Sequence, residues 1–425
     1  MITSPAWKDK KYAVLGLARS GRATVEALLA AGADVLVWDD RAEAREPFAG
    51  RCAIGDPLEA DLSGYAGVVV SPGVPLNTHP IKPHADSFGV PVIGDIELFA
   101  QARADLPPHK VVGITGTNGK STTTALVHHI LKTAGVPTTM GGNIGLPILE
   151  QDPLPEGGVY VLELSSYQID LTYSLDCDVA VLLNITPDHL DRYESFEAYA
   201  ASKARLFAMQ RGNWAIVGLD DPTSKAIADE RGMPLTRISG RQLPKSLRRV
   251  PTLQGPHNWQ NIAAALEACR EVGINLPKIE AAIKTYPGLP HRMERVAEIG
   301  GVAFVNDSKG TNTAASAPAL AAFDNIHWIL GGLAKEPGLG ECEAELGHVK
   351  AAYTIGKAGR DFAALLDGRV PVTPCDTLDR AVTRAASRAA RGDTVLLSPA
   401  CASFDQYRDF EARGDHFREL VEALK

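Results

Sequence analysis

The run Val111-Val112-Gly113-Ile114-Thr115-Gly116-Thr117-Asn118-Gly119-Lys120-Ser121 leads from a β-branched strand through a glycine-rich turn into a helical stretch over residues 122–133. A strand, a glycine loop closed by Lys-Ser and a helix start make a phosphate cradle. Backbone N–H groups at the helix N-terminus point at phosphate oxygens, glycines permit close approach, lysine neutralises charge and the serine hydroxyl can ligate Mg²⁺. Gly116, Thr117, Asn118, Gly119, Lys120, Ser121 and Thr122 are therefore candidate ATP contacts. Glycines fall at 113, 116 and 119, and Ile114 stands where the general P-loop spacing has glycine, so the loop departs from the commonest pattern.

Outward from this run, short β-branched segments alternate with helical patterns, which predicts an α/β fold of parallel sheets with helices on both faces. Strands are expected at 12–15, 34–38 and 67–70, then at 111–114, 159–164, 179–184 and 214–218, and finally at 302–305, 328–330, 352–355 and 394–398. At 425 residues and about 150 residues per domain, three domains are expected. We place them at 1–98 (Rossmann-like), 99–288 (a central P-loop ATPase-type sheet) and 289–425 (again Rossmann-like). The stretch 101–110, with Pro107-Pro108, reads as a linker, and 286–290 as a hinge.

Composition removes several function classes. Hydrophobic residues make up 45% of the chain, and none of its apolar runs approaches the ~18 residues of a membrane span, so no membrane insertion is expected. The first 11 residues lack a signal-peptide core, which predicts a cytoplasmic protein. The net charge of −8 and the absence of a long basic run argue against nucleic acid. The six cysteines form no CxxC pair, so no zinc knuckle or disulfide framework is expected, and Cys401 is expected to pack rather than act as a nucleophile.

Two further segments sit at or just after strand ends: Glu163-Leu164-Ser165-Ser166-Tyr167-Gln168 and Asn184-Ile185-Thr186-Pro187-Asp188-His189-Leu190-Asp191. A carboxylate and an imidazole beside a phosphate loop suit divalent cations that bridge phosphates and a reacting group. Together with Gly-Thr-Asn-Gly-Lys-Ser, these segments resemble the Mur ligases, the amide-forming enzymes of peptidoglycan precursor synthesis. The resemblance implies that Ser121 and Glu163 hold one Mg²⁺ and His189 a second. It also implies that Lys203, within the helical run 196–209, is carbamylated by CO₂ into an oxygen ligand near that second ion. Such a lysine must be neutral to react, which burial or nearby positive charge would favour.

The resemblance continues. Gly255-Pro256-His257-Asn258-Trp259-Gln260-Asn261 matches the family's adenine motif, with Asn258 and Asn261 at the nucleotide. His291-Arg292-Met293-Glu294 would bring Arg292 to the γ-phosphate, and Asp307-Ser308-Lys309-Gly310-Thr311 would bring Asp307 to ATP and Lys309 and Thr311 to the other substrate and the transition state. Contacts spread over two domains imply closure by a hinge near Gly288.

Residues 397–407 and 410–414 look like the family's D-glutamate-adding member, which implies an amino-acid pocket of Ser403, Phe404 and Phe410, with Lys335 pairing the side-chain carboxylate. No Asp-Asn-Pro-Arg element of the diaminopimelate- or lysine-adding member is present. At the other end, Gly16-Leu17-Ala18-Arg19-Ser20-Gly21 with Asp39 about 20 residues on reads as a dinucleotide fingerprint, with Ala18 at the middle glycine. From the residues alone it serves an NAD-dependent oxidoreductase as well. The resemblance instead implies a UDP moiety held by Arg19, Ser20, Asp39, Arg41 and Gly73, with Asn143 and Gln168 on the muramoyl part. The expected reaction joins D-glutamate to UDP-N-acetylmuramoyl-L-alanine in a monomeric enzyme using ATP and two Mg²⁺, with Lys120, His189, Lys203 and Lys309 as catalytic groups. A nucleotide-binding module without catalysis is the third reading, and phosphate release under full substrates separates it from the first.

Overall fold

The computed structural model describes residues 1–188, 191–231 and 234–425. The chain divides into two compact units, Met1–Gln242 with Gln260–Ile283, and Leu243–Trp259 with Lys284–Lys425. Unit 1 carries two sheets and unit 2 carries one.

The first sheet contains β1 (Lys11–Leu15), β2 (Asp34–Trp38), β3 (Ala53–Ile54), β4 (Tyr65–Val70) and β5 (Val92–Ile93), in the order β3-β2-β1-β4-β5. Every pairing is parallel. Apart from Lys11, β1 is buried along its length, as expected of a parallel strand covered on both faces. The turn after β1 ends on Ala18, whose φ of −70° and ψ of −167° are ordinary extended backbone, so alanine at the middle glycine position carries no strain there.

The second sheet contains β6 (His109–Thr115), β7 (Thr138–Gly142), β8 (Gly158–Glu163), β9 (Val179–Leu182), β10 (Trp214–Gly218) and β11 (Leu235–Ile238), ordered β11-β10-β9-β6-β8-β7 and parallel throughout. β6 lies between β8 and β9, so the phosphate loop, the Glu163 segment and the Asn184 segment all leave the carboxyl edge of three adjacent strands. That edge is where open α/β sheets bind ligands. The stretch read as a linker at 101–110 is instead ordered: Asp95–Ala102 is a helix, a 3-10 turn follows at Arg103–Asp105, and β6 begins at His109.

Unit 2 is built on β12 (Glu294–Ile299), β13 (Val302–Asn306), β14 (Ile326–Gly331), β15 (Val349–Ile355), β16 (Val372–Asp376) and β17 (Thr394–Leu397), ordered β12-β13-β17-β14-β15-β16. β12 runs antiparallel to β13 while the others are parallel, so this sheet departs from an all-parallel Rossmann pattern at one edge. Alternation along the central strands feeds two cores: Trp328, Leu330 and Leu396 face one side, Ile329, Val395 and Leu397 the other. Among the described residues no helix is long and apolar enough to cross a membrane.

Candidate active site

Helix Lys120–Thr133 starts at Lys120, with Gly119 in the left-handed region at φ +85°. A Cβ at Gly119 would lie 2.2 Å from Asn261 Oδ1, so both conformation and space require glycine there. The loop rests on the segment following β9. Thr117 N donates to Asn184 O (2.8 Å), Asn118 N to Asn184 Oδ1 (2.9 Å), and Asn184 Nδ2 to Asn118 O (3.1 Å). Thr117 Oγ1 donates to Thr186 O, accepts from Thr186 N and meets Tyr199 OH at 3.0 Å. Lys120 Nζ reaches back to the carbonyls of Gly116 (2.8 Å) and Thr117 (2.7 Å), within the loop whose ligand it would neutralise.

Glu163, the last residue of β8, is buried. Asn143 Nδ2 donates to its Oε1 at 2.9 Å, while Oε2 is buried with no hydrogen-bond partner. An orphaned carboxylate oxygen at the carboxyl edge beside the loop costs stability unless a cation completes it, so this chain's residues fit an Mg²⁺ ligand at Glu163. Ser121, also buried, is the second residue of the adjacent helix. Lys203 is not the solvated charge that a helix lysine usually is: it is 2% exposed, donates to Gly116 O at 3.0 Å and sits 4.7 Å from the Tyr199 ring centre. Burial, reinforced by the Lys120 ammonium, pushes its pKa down to about 7. A cleft of about 370 Å³ brings together Lys120, Lys203, Asn143, Tyr167, Asp188 and Gly73. His189, expected at the second metal, lies outside the described residues. Among the described residues no three His, Cys, Asp or Glu side chains form a ready-made metal cluster.

Gln168, expected on the substrate, spends its amide oxygen on a capping box, accepting from Ser165 N and Ser165 Oγ at 3.1 Å. That cap orients the short helix Ser166–Asp170 directly behind Glu163. At the first sheet, Asp39 turns inward and accepts from Leu17 N (2.8 Å) and from Arg41 N and Nε (3.1 Å each). The acid at the dinucleotide fingerprint position thus braces its own glycine turn. Arg19 reaches Gly145 O at 2.9 Å, joining that turn to the loop that carries Asn143. Ser20 sits half-buried on the first turn of the following helix.

In unit 2, Asp307 is buried after β13, accepting from Ser398 Oγ (2.8 Å) and Met293 N (3.1 Å); burial pushes its pKa up to about 7. The Arg292 turn is held by its neighbours: His291 N donates to Glu294 Oε2 (2.9 Å), Asn306 Nδ2 bridges His291 Nδ1 and Glu294, and Lys309 N donates to His291 O (3.0 Å). Lys309 and Phe410, named separately from sequence, come together, with Nζ 3.9 Å from the ring centre. Thr311 lies partly buried two residues on. Ser403 is buried, Phe404 is 70% exposed, and Lys335 is exposed on a segment tied to Ala402 through Leu333. Arg413, missed from sequence, is buried and ties Ser308 to Cys401 through their carbonyls. Cys401 is buried, with its thiol pushed up to about 12, which agrees with a packing role. Asn258 donates to Gln254 O, and Asn261 lies against the Gly119 turn.

Three family matches tile the chain: the Mur ligase MurD-like N-terminal domain over residues 10–94, the Mur ligase middle domain over 114–249 and the Mur ligase glutamate ligase domain over 291–401. Proteins named UDP-N-acetylmuramoylalanine–D-glutamate ligase are similar over the whole chain. The one from Novosphingobium aromaticivorans is 63% identical over 100% of this chain and 97% of its own length. The one from Sphingopyxis alaskensis is 60% identical, with 100% of both covered. Among solved structures, the UDP-N-acetylmuramate-alanine ligase of Thermotoga maritima superposes with a TM-score of 0.58 at 16% identity, covering 98% of this chain and 100% of that one, a likeness of fold. Matched along its length by family domains and by full-length relatives, this chain belongs to the Mur ligase family.

Proposed function

We propose that this chain adds D-glutamate to UDP-N-acetylmuramoyl-L-alanine at the expense of ATP. The observation that carries the reading is the convergence, around one cleft of unit 1, of the Lys120 loop and the low-pKa Lys203, with the partnerless Glu163 oxygen beside them. A carboxylate is a poor electrophile, because its charge repels nucleophiles and oxide is a bad leaving group. In the first step the alanyl carboxylate oxygen attacks the γ-phosphorus and ADP leaves, giving an acyl phosphate. The D-glutamate nitrogen then attacks the acyl carbon, loses a proton, and phosphate departs as the amide forms.

Lys120 neutralises the transferring phosphoryl group, and Arg292 supplies a forked, permanently charged donor for the same group. Gly116–Thr122, Asn258, Asn261 and Asp307 are assigned to the nucleotide. Ser121, Glu163, His189 and a carbamylated Lys203 are assigned to two Mg²⁺, which supply charge neutralisation on the phosphate and acyl oxygens when bound. Arg19, Ser20, Asp39, Arg41 and Gly73 are assigned to the UDP moiety, and Asn143 and Gln168 to the muramoyl part. Lys309, Thr311, Lys335, Ser403, Phe404 and Phe410 form the amino-acid side. The proposal includes the division at 1–98, 99–288 and 289–425, a cytoplasmic location and a monomer.

Phosphate release with ATP, Mg²⁺ and UDP-N-acetylmuramoyl-L-alanine tests the reaction. It should require D-glutamate, and equal rates with L-glutamate, glycine or no amino acid would overturn it. Carbamylation is tested by stripping CO₂ from the buffer, which should lower activity until bicarbonate is restored. A Lys203→Ala enzyme that keeps full activity refutes it.

A further inference from the structure

The loop's contacts with the segment after β9 define more than a support. A phosphate loop works only if its N–H groups keep a fixed direction, because each must meet a phosphate oxygen. Here the Asn118 peptide groups face inward: N–H to Asn184 Oδ1 and C=O from Asn184 Nδ2. The Asn184 side chain therefore pairs with Asn118 as the backbone of a neighbouring strand would, and its own carbonyl takes Thr117 N–H.

The same Asn184 Nδ2 also faces Gln260 Oε1 at 3.4 Å. Gln260 is 6% exposed and sits one residue before Asn261, whose Oδ1 fills the space against Gly119. The helix carrying Asn261 thus touches the loop directly at Gly119 and, through Gln260 and Asn184, at Asn118. We infer that Asn184 and Gln260 are positioning residues that lock the phosphate loop into its nucleotide-binding shape and register it against the helix bearing Asn261. Neither touches the reacting atoms. Both act through Asn118, and the inference rests on the assignment of this loop to ATP.

Steady-state kinetics on the full-length enzyme test it. Asn184→Ala removes the side-chain pair to Asn118 and should raise KM for ATP by roughly 10-fold to 100-fold. KM for the UDP substrate should stay within about twofold, and thermal unfolding should be nearly unchanged, because a general structural lesion would move all three. Gln260→Leu leaves the Asn118 pair intact and removes only the second anchor, so KM for ATP should rise about threefold. A well-folded Asn184→Ala enzyme with unchanged KM for ATP, or with both KM values raised equally, overturns the inference. If Asn184→Ala fails to fold, Gln260→Leu decides, and no effect there overturns it too. Lys120→Ala separates the two levels: if it leaves ATP binding intact, the assignment of the loop fails, whereas if it abolishes binding while Asn184→Ala does not weaken it, only the present inference fails.

Discussion

Replacing Lys203 by methionine should abolish activity and at the same time stabilise unit 1, by an amount that depends on pH. In the unfolded chain a lysine titrates near 10.5, whereas burial and the neighbouring Lys120 bring Lys203 down to about 7 in the fold. Between those values the unfolded chain binds a proton that the folded chain does not, so the folded protein loses stability as pH falls from about 10 to 7 and no further below that. At about 1.4 kcal/mol per unit, the full window is worth up to about 5 kcal/mol. Methionine fills the same volume without a charge, but gives up the hydrogen bond to Gly116 O, worth about 1 kcal/mol. The variant should therefore exceed the wild type by roughly 2–4 kcal/mol at pH 6.5 and by close to nothing at pH 10. Native-state hydrogen exchange in CO₂-free buffer, read on peptides from β6 and from helix Phe196–Ala208, isolates unit 1 and removes carbamylation from the comparison. A stability difference that is absent, or that is the same at pH 6.5 and pH 10, would refute the account of Lys203 as a desolvated amine.

Glu163→Gln should cost at least ~100-fold in rate while leaving metal-free stability unchanged or higher by about 1 kcal/mol, since a partnerless buried carboxylate oxygen is removed; an unaltered Mg²⁺ dependence of the rate would contradict the ligand assignment. For Asp307, whose folded pKa of about 7 lies above the ordinary 3.8, unit 2 should lose stability as pH rises from 4 to 7, by up to ~4 kcal/mol, and Asp307→Asn should flatten that slope in denaturant titrations. Gly414→Ala places a Cβ 2.1 Å from His291 Nδ1 and should destabilise unit 2 by roughly 1–3 kcal/mol while raising KM for ATP through the Arg292 turn. Unchanged melting and unchanged KM would show that the turn yields freely.

How far the sequence carried the structure depends on where each residue's partners lie. Strands such as β6, β8 and β14 were legible because their buried apolar runs are continuous. β3 and β5 span two residues each and offer no run to detect, and β12, at an exposed edge, alternates charged and apolar residues with only partial burial. The phosphate loop and Glu163 were readable from residue type and strand-end placement. Lys203 was identified by family resemblance alone, since its burial beneath Gly116 comes from residues 87 positions away. Asn184 carries no local signal of its role, because its partner Asn118 is 66 residues distant and reached only through the β6–β9 pairing. Asp39 shows the opposite case, since sequence placed it beside the glycine turn, where its local hydrogen bonds direct its carboxylate into the scaffold, and Gln168, read at a strand end, spends its amide oxygen on the cap of a short helix.

The Gly116 carbonyl accepts from both Lys120 and Lys203. Rotating that peptide would strip two amines of a common acceptor at once, so the flip that lets glycine loops alternate between amide-in and amide-out states is opposed from two directions. A resting loop held in this way meets its ligand already shaped, and binding should proceed without a slow conformational phase in stopped-flow traces.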